Sequence, residues 1–167
     1  MKPLMSRALI ARGALLVLGA LNFAIHGKEH IRRSGDVVYL PLAPVDPRSL
    51  IQGDYMALRF AIVRDIEGRD GRDRGNDQGA REGTVSLAPI VLDDRRIASL
   101  AADGTAPVLR LRYRIRDGRV WLGTNAFFFE EGTAERFSKA RYGEFRVDAA
   151  SGEAVLVGLR DADLKAL

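Results

Sequence analysis

From Ala8 to Ile25 the chain reads ALIARGALLVLGALNFAI, apolar except for Arg12 and Asn22, and no other stretch restricts the fold as strongly. About 20 residues span a bilayer, within a working range of roughly 17 to 25. Arg12 lies near enough to the start to snorkel its guanidinium to the headgroups. The part free of charge, Gly13 to Ile25, has the length of a secretory h-region, but cleavage after it needs small residues, and Phe23, Ile25 and His26 are bulky. The run is therefore read as an uncleaved anchor, in preference to a cleaved signal or a buried helix. Lys2, Arg7 and Arg12 precede it while Lys28, Arg32 and Arg33 follow, so the positive-inside count is nearly balanced. A very short N-terminal tail most simply stays in the cytoplasm. The expected layout is a cytoplasmic tail (1–7), a transmembrane anchor (8–26), a basic stalk (27–36), a β-rich soluble domain outside (37–162) and a C-terminal tail (163–167).

The rest of the chain excludes more chemistry than it suggests. With 167 residues and 47% of them hydrophobic, there is material for one real core. The absence of cysteine removes disulfides, thiolate catalysis and cysteine-ligated zinc. The only histidines, His26 and His30, stand at the end of the hydrophobic run. The domain thus lacks a histidine base, which removes the usual serine triad and most zinc hydrolase designs. The net charge of +4 comes from 26 basic and 22 acidic side chains that are interspersed, so no nucleic-acid partner is expected. No cofactor or metal is expected either.

Beyond the anchor, Val37 to Leu42 reads as a first strand, with Pro41 suited to an edge or strand end. In VDPRSLIQGDYMALRF, Asp46 is a good N-cap, Pro47 fits a first helical turn and Gly53 a left-handed cap. A single turn over Pro47–Gln52 is expected, then a strand at Tyr55 with Met56, Leu58 and Phe60 on one face and Tyr55, Ala57 and Arg59 on the other. Glu67 to Gly83 is charged and glycine-rich, and reads as a mobile loop between a strand ending near Val63 and another at Thr84–Leu87. Asp93 to Ala101 could form a short helix. Val108 to Arg116 is the clearest strand, alternating Leu109, Leu111, Tyr113 and Ile115 with Arg110, Arg112, Arg114 and Arg116. Asp117-Gly118 is a type I′ hairpin signal that sets Arg114 opposite Trp121 and Ile115 opposite Val120, so that a cation–π contact with Trp121 is expected. Phe127 to Phe129 suggests a strand buried on both faces or against the anchor-proximal surface. Thr133 to Arg141 reads as a short helix, and Glu144–Val147 with Ala154–Leu159 as a final hairpin. The fold class is mainly β, with about six to eight strands and one or two short helices.

GDYMALRF, Gly53 to Phe60, resembles the GDYXXLXY motif that names a family of uncharacterised bacterial membrane-anchored proteins. Gly53, Asp54, Tyr55 and Leu58 match, and the final tyrosine is Phe60 here. The stretches PVDPRSLIQ, FFFEEG and RYGEFRVD…GEAVLVGL are similar to the family as well, so the resemblance covers most of the chain. It implies an anchor-plus-domain layout and frequent genomic proximity to multi-pass membrane proteins of unknown role, which makes a multi-pass membrane protein a candidate partner. With the N-in orientation, the expected location is the bacterial inner membrane with the domain facing the periplasm. The same segment echoes type I signal peptidases. Their nucleophilic serine precedes the proline, whereas Pro44, Val45 and Asp46 stand there in this chain. Ser49 follows Pro47, and Lys139 is the only credible dyad lysine on the domain. The echo is one of fold without the chemistry.

Two polar groups are candidate sites. Asp46, Arg48, Gly53 and Asp54, with Tyr55, Leu58 and Phe60 of the motif, could line a ligand or partner site. The preferred alternative is that Asp46 caps, Gly53 turns and Asp54 bonds turn amides. Arg110, Arg112 and Arg114, with Arg116, could clamp anionic lipid or a phosphate-bearing partner, although the same alternation describes any half-solvated strand, which is the preferred reading. Glu130-Glu131 and Asp93-Asp94 are poor paired carboxylates because strand neighbours point to opposite faces. No residue is assigned as catalytic. The favoured function is a non-catalytic envelope domain that binds a partner or ligand while tethered to the membrane. The rivals are a hydrolase or transferase built on Asp46, Arg48, Asp54 and Arg59, and an anionic-lipid-binding domain using the arginine strand.

Overall fold

The chain opens as a single helix, α1 (Lys2–Ser34), that runs unbroken through the expected stalk and hands over to β1 (Asp36–Pro41) at Gly35. The computed structural model describes residues 2–43, 51–52, 55–75 and 81–167. After β1 come β2 (Ile51–Gln52), β3 (Tyr55–Ala57), α2 (Ile62–Gly75), β4 (Val85–Leu92), β5 (Ala98–Leu100) and β6 (Leu109–Arg116). They are followed by β7 (Arg119–Trp121), β8 (Ala126–Phe128), α3 (Ala134–Phe137), β9 (Tyr142–Val147) and β10 (Ala154–Arg160). The domain is mainly β. Ten strands lie among the described residues, and the excess over expectation comes from pieces of two or three residues, too short to carry a periodicity.

Three sheets share one core. Their orders are β1-β9-β10, β2-β3-β8 and β5-β4-β6-β7, with every pair antiparallel. Bridges between Leu42 and Phe60 and between Tyr39 and Ile97 stitch them together. Val38, Leu40, Phe145, Val147 and Leu159 of the first sheet meet Met56, Leu58 and Phe60 beside the second and Ile90, Leu111 and Ile115 of the third. Met56, Leu58 and Phe60 are buried on one face, as their alternation requires. On β6 the apolar set Leu111, Tyr113 and Ile115 faces this core. Arg114 stands opposite Trp121 and Ile115 opposite Val120. Asp117 and Gly118 adopt φ of 50° and 70°, the positive pair that a type I′ turn demands.

Several expectations are corrected. The strand expected to run to near Val63 ends at Ala57, a helix begins at Ile62 and takes in the loop anticipated from Glu67 as far as Gly75, and residues 76–80 lie outside the described residues. The inward face of this helix is Ile62, Ile66 and Asp70, spaced by four and all buried. Three of its charged residues make tertiary contacts that no local pattern announces. Glu67 Oε1 accepts the Val120 amide at 3.1 Å, Arg69 Nη1 donates to the Ala101 carbonyl at 3.2 Å and pairs with Asp103 at 2.9 Å, and the Tyr113 hydroxyl donates to Asp70 at 3.4 Å. The expected helix at Asp93–Ala101 is instead a turn leading into β5. Asp93 Oδ1 accepts the amides of Arg95 and Ile97 at 2.9 and 2.7 Å, an arrangement that diverts the backbone from a helix.

Pro47–Leu50 lies outside the described residues, and Ile51–Gln52 pairs with Tyr55–Met56 as strand rather than closing a helical turn. Phe128 is 75% exposed, so the phenylalanine run is not buried on both faces; Phe127 and Phe129 pack on Phe137. The last residues are not a free tail, since Leu167 donates its amide to Leu159 and packs against the core. Among the described residues no helix is long and apolar enough to cross a membrane. The described side chains of α1 begin at Arg12, four residues into the apolar run.

Candidate anion-binding groove

The alternation of β6 turns its apolar residues inward and its arginines outward. On that outer face Val85 stands opposite Arg114 and Leu87 opposite Arg112, both apolar side chains being about half exposed. Strand β7 pairs only with Arg114–Arg116, which leaves the edge of β6 open beyond Trp121. The turn between β9 and β10 fills part of this opening, where the Arg112 amide donates to the Gly152 carbonyl at 2.8 Å. Asp148 shapes the turn by accepting from both the amide and the hydroxyl of Ser151 on Oδ1. These two hydrogen bonds hold the Asp148 carboxyl below the usual carboxylate range.

Between the end of β7 and this turn lies an open groove of about 270 Å³. Its polar lining is Lys28 from the foot of α1, Arg112, Arg114 and Arg116 from β6, and Glu153, with Trp121 as its aromatic wall. Four cations thus meet a single carboxylate. Glu153 is occupied by an ion pair with Lys28 and by Arg112 Nη1 at 3.7 Å. The guanidinium carbon of Arg116 sits 3.9 Å from the centroid of the Trp121 ring, the cation–π contact expected on this face. Among the described residues, no carboxylate lies within ion-pair distance of Arg114. A planar guanidinium set beside an ammonium suits a carboxylate or phosphate, which it engages with paired N–H donors.

A second depression, between α2 and β5, is less suited to an anion. There Arg64, Arg69 and Arg72 face Asp65 and Asp103, and Arg69 already bonds Asp103 and the Ala101 carbonyl.

Of the arginines expected to bind anions, Arg112 and Arg114 line the groove. Arg110 is exposed on the same face but lies outside the lining. Lys28 and Glu153 were not foreseen. They are 125 positions apart in sequence, and only docking of the helix foot on β9 and β10 brings them together. In the other candidate cluster, Asp46, Arg48, Gly53 and Asp54 lie outside the described residues, as does Ser49, while Arg59 and Lys139 are exposed. The described motif positions serve packing. Tyr55 lies against Phe128 with ring centroids 5.8 Å apart, Leu58 is buried, and Phe60 meets Phe145 edge-on at 5.2 Å. The buried carboxylate Glu144 accepts from Arg160 Nε at 2.6 Å and so crosslinks β9 to β10. Among the described residues, no three histidine, aspartate or glutamate side chains gather as a metal site.

No curated protein and no solved structure matches the chain. The family model described as GDYXXLXY protein matches residues 17–159, and the chain belongs to that family.

Proposed function

We propose that α1 crosses a bilayer and that the β domain is a non-catalytic binding module held at the membrane surface, on the side opposite the N-terminus, with its groove open to an anionic group. One observation carries this reading: Leu15, Leu16, Val17, Leu18, Leu21, Phe23 and Ile25 are each more than half exposed on one continuous helix. Consecutive apolar residues at 100° per position cover the whole circumference, so a one-sided contact with another domain would leave most of them in water. Hydrocarbon satisfies every side at once. The 18 residues of the apolar run, Ala8 to Ile25, reach about 27 Å at the helical rise of roughly 1.5 Å per residue, close to the ~30 Å hydrocarbon core. The polar group within the run is accommodated, since the Asn22 side-chain amide donates to the Leu18 carbonyl at 3.0 Å.

The foot of α1 is tied to the domain. Ile31 is buried, Lys28 pairs with Glu153, and Arg146 Nη1 donates to the Gly35 carbonyl at 3.2 Å. Such an attachment keeps the groove at a set height above the lipid. The binding role rests on what the groove offers: guanidinium groups donate hydrogen bonds that orient anions and accept none, and Glu153 is engaged by two cations. Lipid-facing surface left on α1 is also where a multi-pass membrane partner would pack.

The absence of cysteine permits a direct test of sidedness. Single-cysteine variants Ser6→Cys and Asp163→Cys are exposed in spheroplasts to a membrane-impermeant maleimide. The reading expects immediate labelling at position 163 and labelling at position 6 only after lysis. The reverse pattern, or both variants in the soluble fraction, rejects it.

A further inference from the structure

We infer that the groove beside Trp121 holds the headgroup phosphate of an anionic phospholipid, drawn from the leaflet through which α1 leaves the bilayer. The inference rests on the membrane reading above and supplies the chemistry of the groove's occupant.

Position is the first argument. Lys28 lines the groove and follows Ile25, the last residue of the apolar run, by only three positions. At roughly 1.5 Å per residue that is about 5 Å along the helix axis, which is within the thickness of a headgroup layer. A groove rooted there lies at the depth of lipid phosphates.

Charge is the second. Lys28, Arg112, Arg114 and Arg116 face one carboxylate, and Glu153 is shared between Lys28 and Arg112. The surplus is cationic, and it sits where an anionic leaflet concentrates counter-charge. The third argument is the mixed character of the face. Trp121, Val85 and Leu87 share it with the arginines, and the two aliphatic side chains are 45% and 44% exposed. A site for a free, fully hydrated anion has no need of exposed aliphatic and indole surface. A lipid brings both a phosphate for the guanidinium groups and glycerol and upper chain for the apolar ones, and indole favours this depth of the interface.

The chain's single tryptophan is Trp121, so its fluorescence reads the groove directly. Full-length protein is placed in nanodiscs of phosphatidylcholine alone, and in discs of phosphatidylcholine mixed with phosphatidylglycerol, whose headgroup supplies the anionic phosphate. In a parallel set the phosphatidylcholine carries bromine on its upper acyl chain. The expected result is a blue-shifted emission and at least twofold stronger bromine quenching in the phosphatidylglycerol discs. Arg112→Ala/Arg114→Ala, which leaves Arg116 stacked on Trp121, should abolish that difference. Arg112→Lys/Arg114→Lys should keep part of it, and near-ultraviolet circular dichroism of both variants verifies the fold.

Equal emission and quenching in the two lipids would overturn the inference, as would a lipid response that survives the double alanine change. Inorganic phosphate added to phosphatidylcholine discs is the remaining arm; if it reproduces the spectral change, a soluble anion rather than lipid is the occupant and the inference fails. A chain that enters neither disc removes the membrane reading, and this inference with it. Incorporation without lipid dependence removes this inference alone.

Discussion

Gly152 fastens the β9–β10 turn onto β6 and so forms one wall of the groove. Its φ is +70°, and a Cβ there would lie 2.8 Å from the Arg110 carbonyl oxygen and 2.8 Å from Leu87 Cδ2. Two costs of Gly152→Ala are therefore separable. An L-residue held in the left-handed region costs roughly 1–2 kcal/mol. Forcing a methyl against a backbone oxygen that the β4–β6 ladder holds in place adds about 1–3 kcal/mol of overpacking. Gly118 is the natural comparison, with the same φ of +70° and nothing within 4 Å of its Cβ, so Gly118→Ala carries only the first cost. Gly158, where neither cost applies, is the neutral control and should stay within about 1 kcal/mol of the parent. For a chain of this size each kcal/mol moves Tm by about 2–4 °C. Gly152→Ala should thus melt roughly 2–12 °C below Gly118→Ala. Thermal unfolding of the detergent-solubilised full chain, followed by Trp121 emission, measures the difference. If Gly152→Ala melts no lower than Gly118→Ala, the turn is not clamped against β6 and the described wall of the groove is wrong.

Three further outcomes are expected. Phe145 is wholly buried at the centre of the shared core, so Phe145→Ala should cost about 3–5 kcal/mol in denaturant unfolding, and a loss under 1 kcal/mol would contradict the packing. Ile31→Asp places a charge at the buried contact between α1 and the domain; limited proteolysis near Gly35 should accelerate while the melting of the β core changes far less, and an unchanged cleavage rate would count against a fixed helix foot. Glu29 is held at a pKa of about 2, chiefly by the side-chain hydrogen bond from Arg32 and then by that from Arg33. Because the folded value is depressed, the contribution of this cluster is complete above the ordinary 4.5 and fades as pH falls towards 2. Carboxyl-carbon NMR should find Glu29 titrating near 2 in the parent and closer to 4.5 in Arg32→Ala, and a parent value near 4.5 would refute the arrangement.

What could be read from sequence was local and periodic. The alternation from Leu109 to Ile115 together with Asp117-Gly118 specified a strand, a turn type and a register, down to Arg114 opposite Trp121. The face formed by Met56, Leu58 and Phe60 was legible for the same reason. Helix α2 was not, because among its described residues only Ile62 and Ile66 are buried apolar side chains, and Glu67, Arg69 and Asp70 find partners on Ala101, Asp103, Tyr113 and Val120, all distant in sequence. Composition argued for a loop, and tertiary hydrogen bonding made a helix. The groove was half legible. Its arginines stood out on one strand, whereas Lys28 and Glu153 belong to it only through the docking of α1. Of the family motif, the described positions Leu58 and Phe60 pack inward, while Gly53 and Asp54 lie outside the described residues.

The account turns on whether the apolar stretch of α1 is surrounded by lipid while the β domain rides on its foot. Membranes bearing the full-length chain are washed with alkaline carbonate, which strips peripheral proteins and leaves spanning ones in place. The account predicts that the intact, unprocessed chain stays with the sedimented membrane until detergent is added. Recovery of that same intact chain in the carbonate supernatant would contradict it.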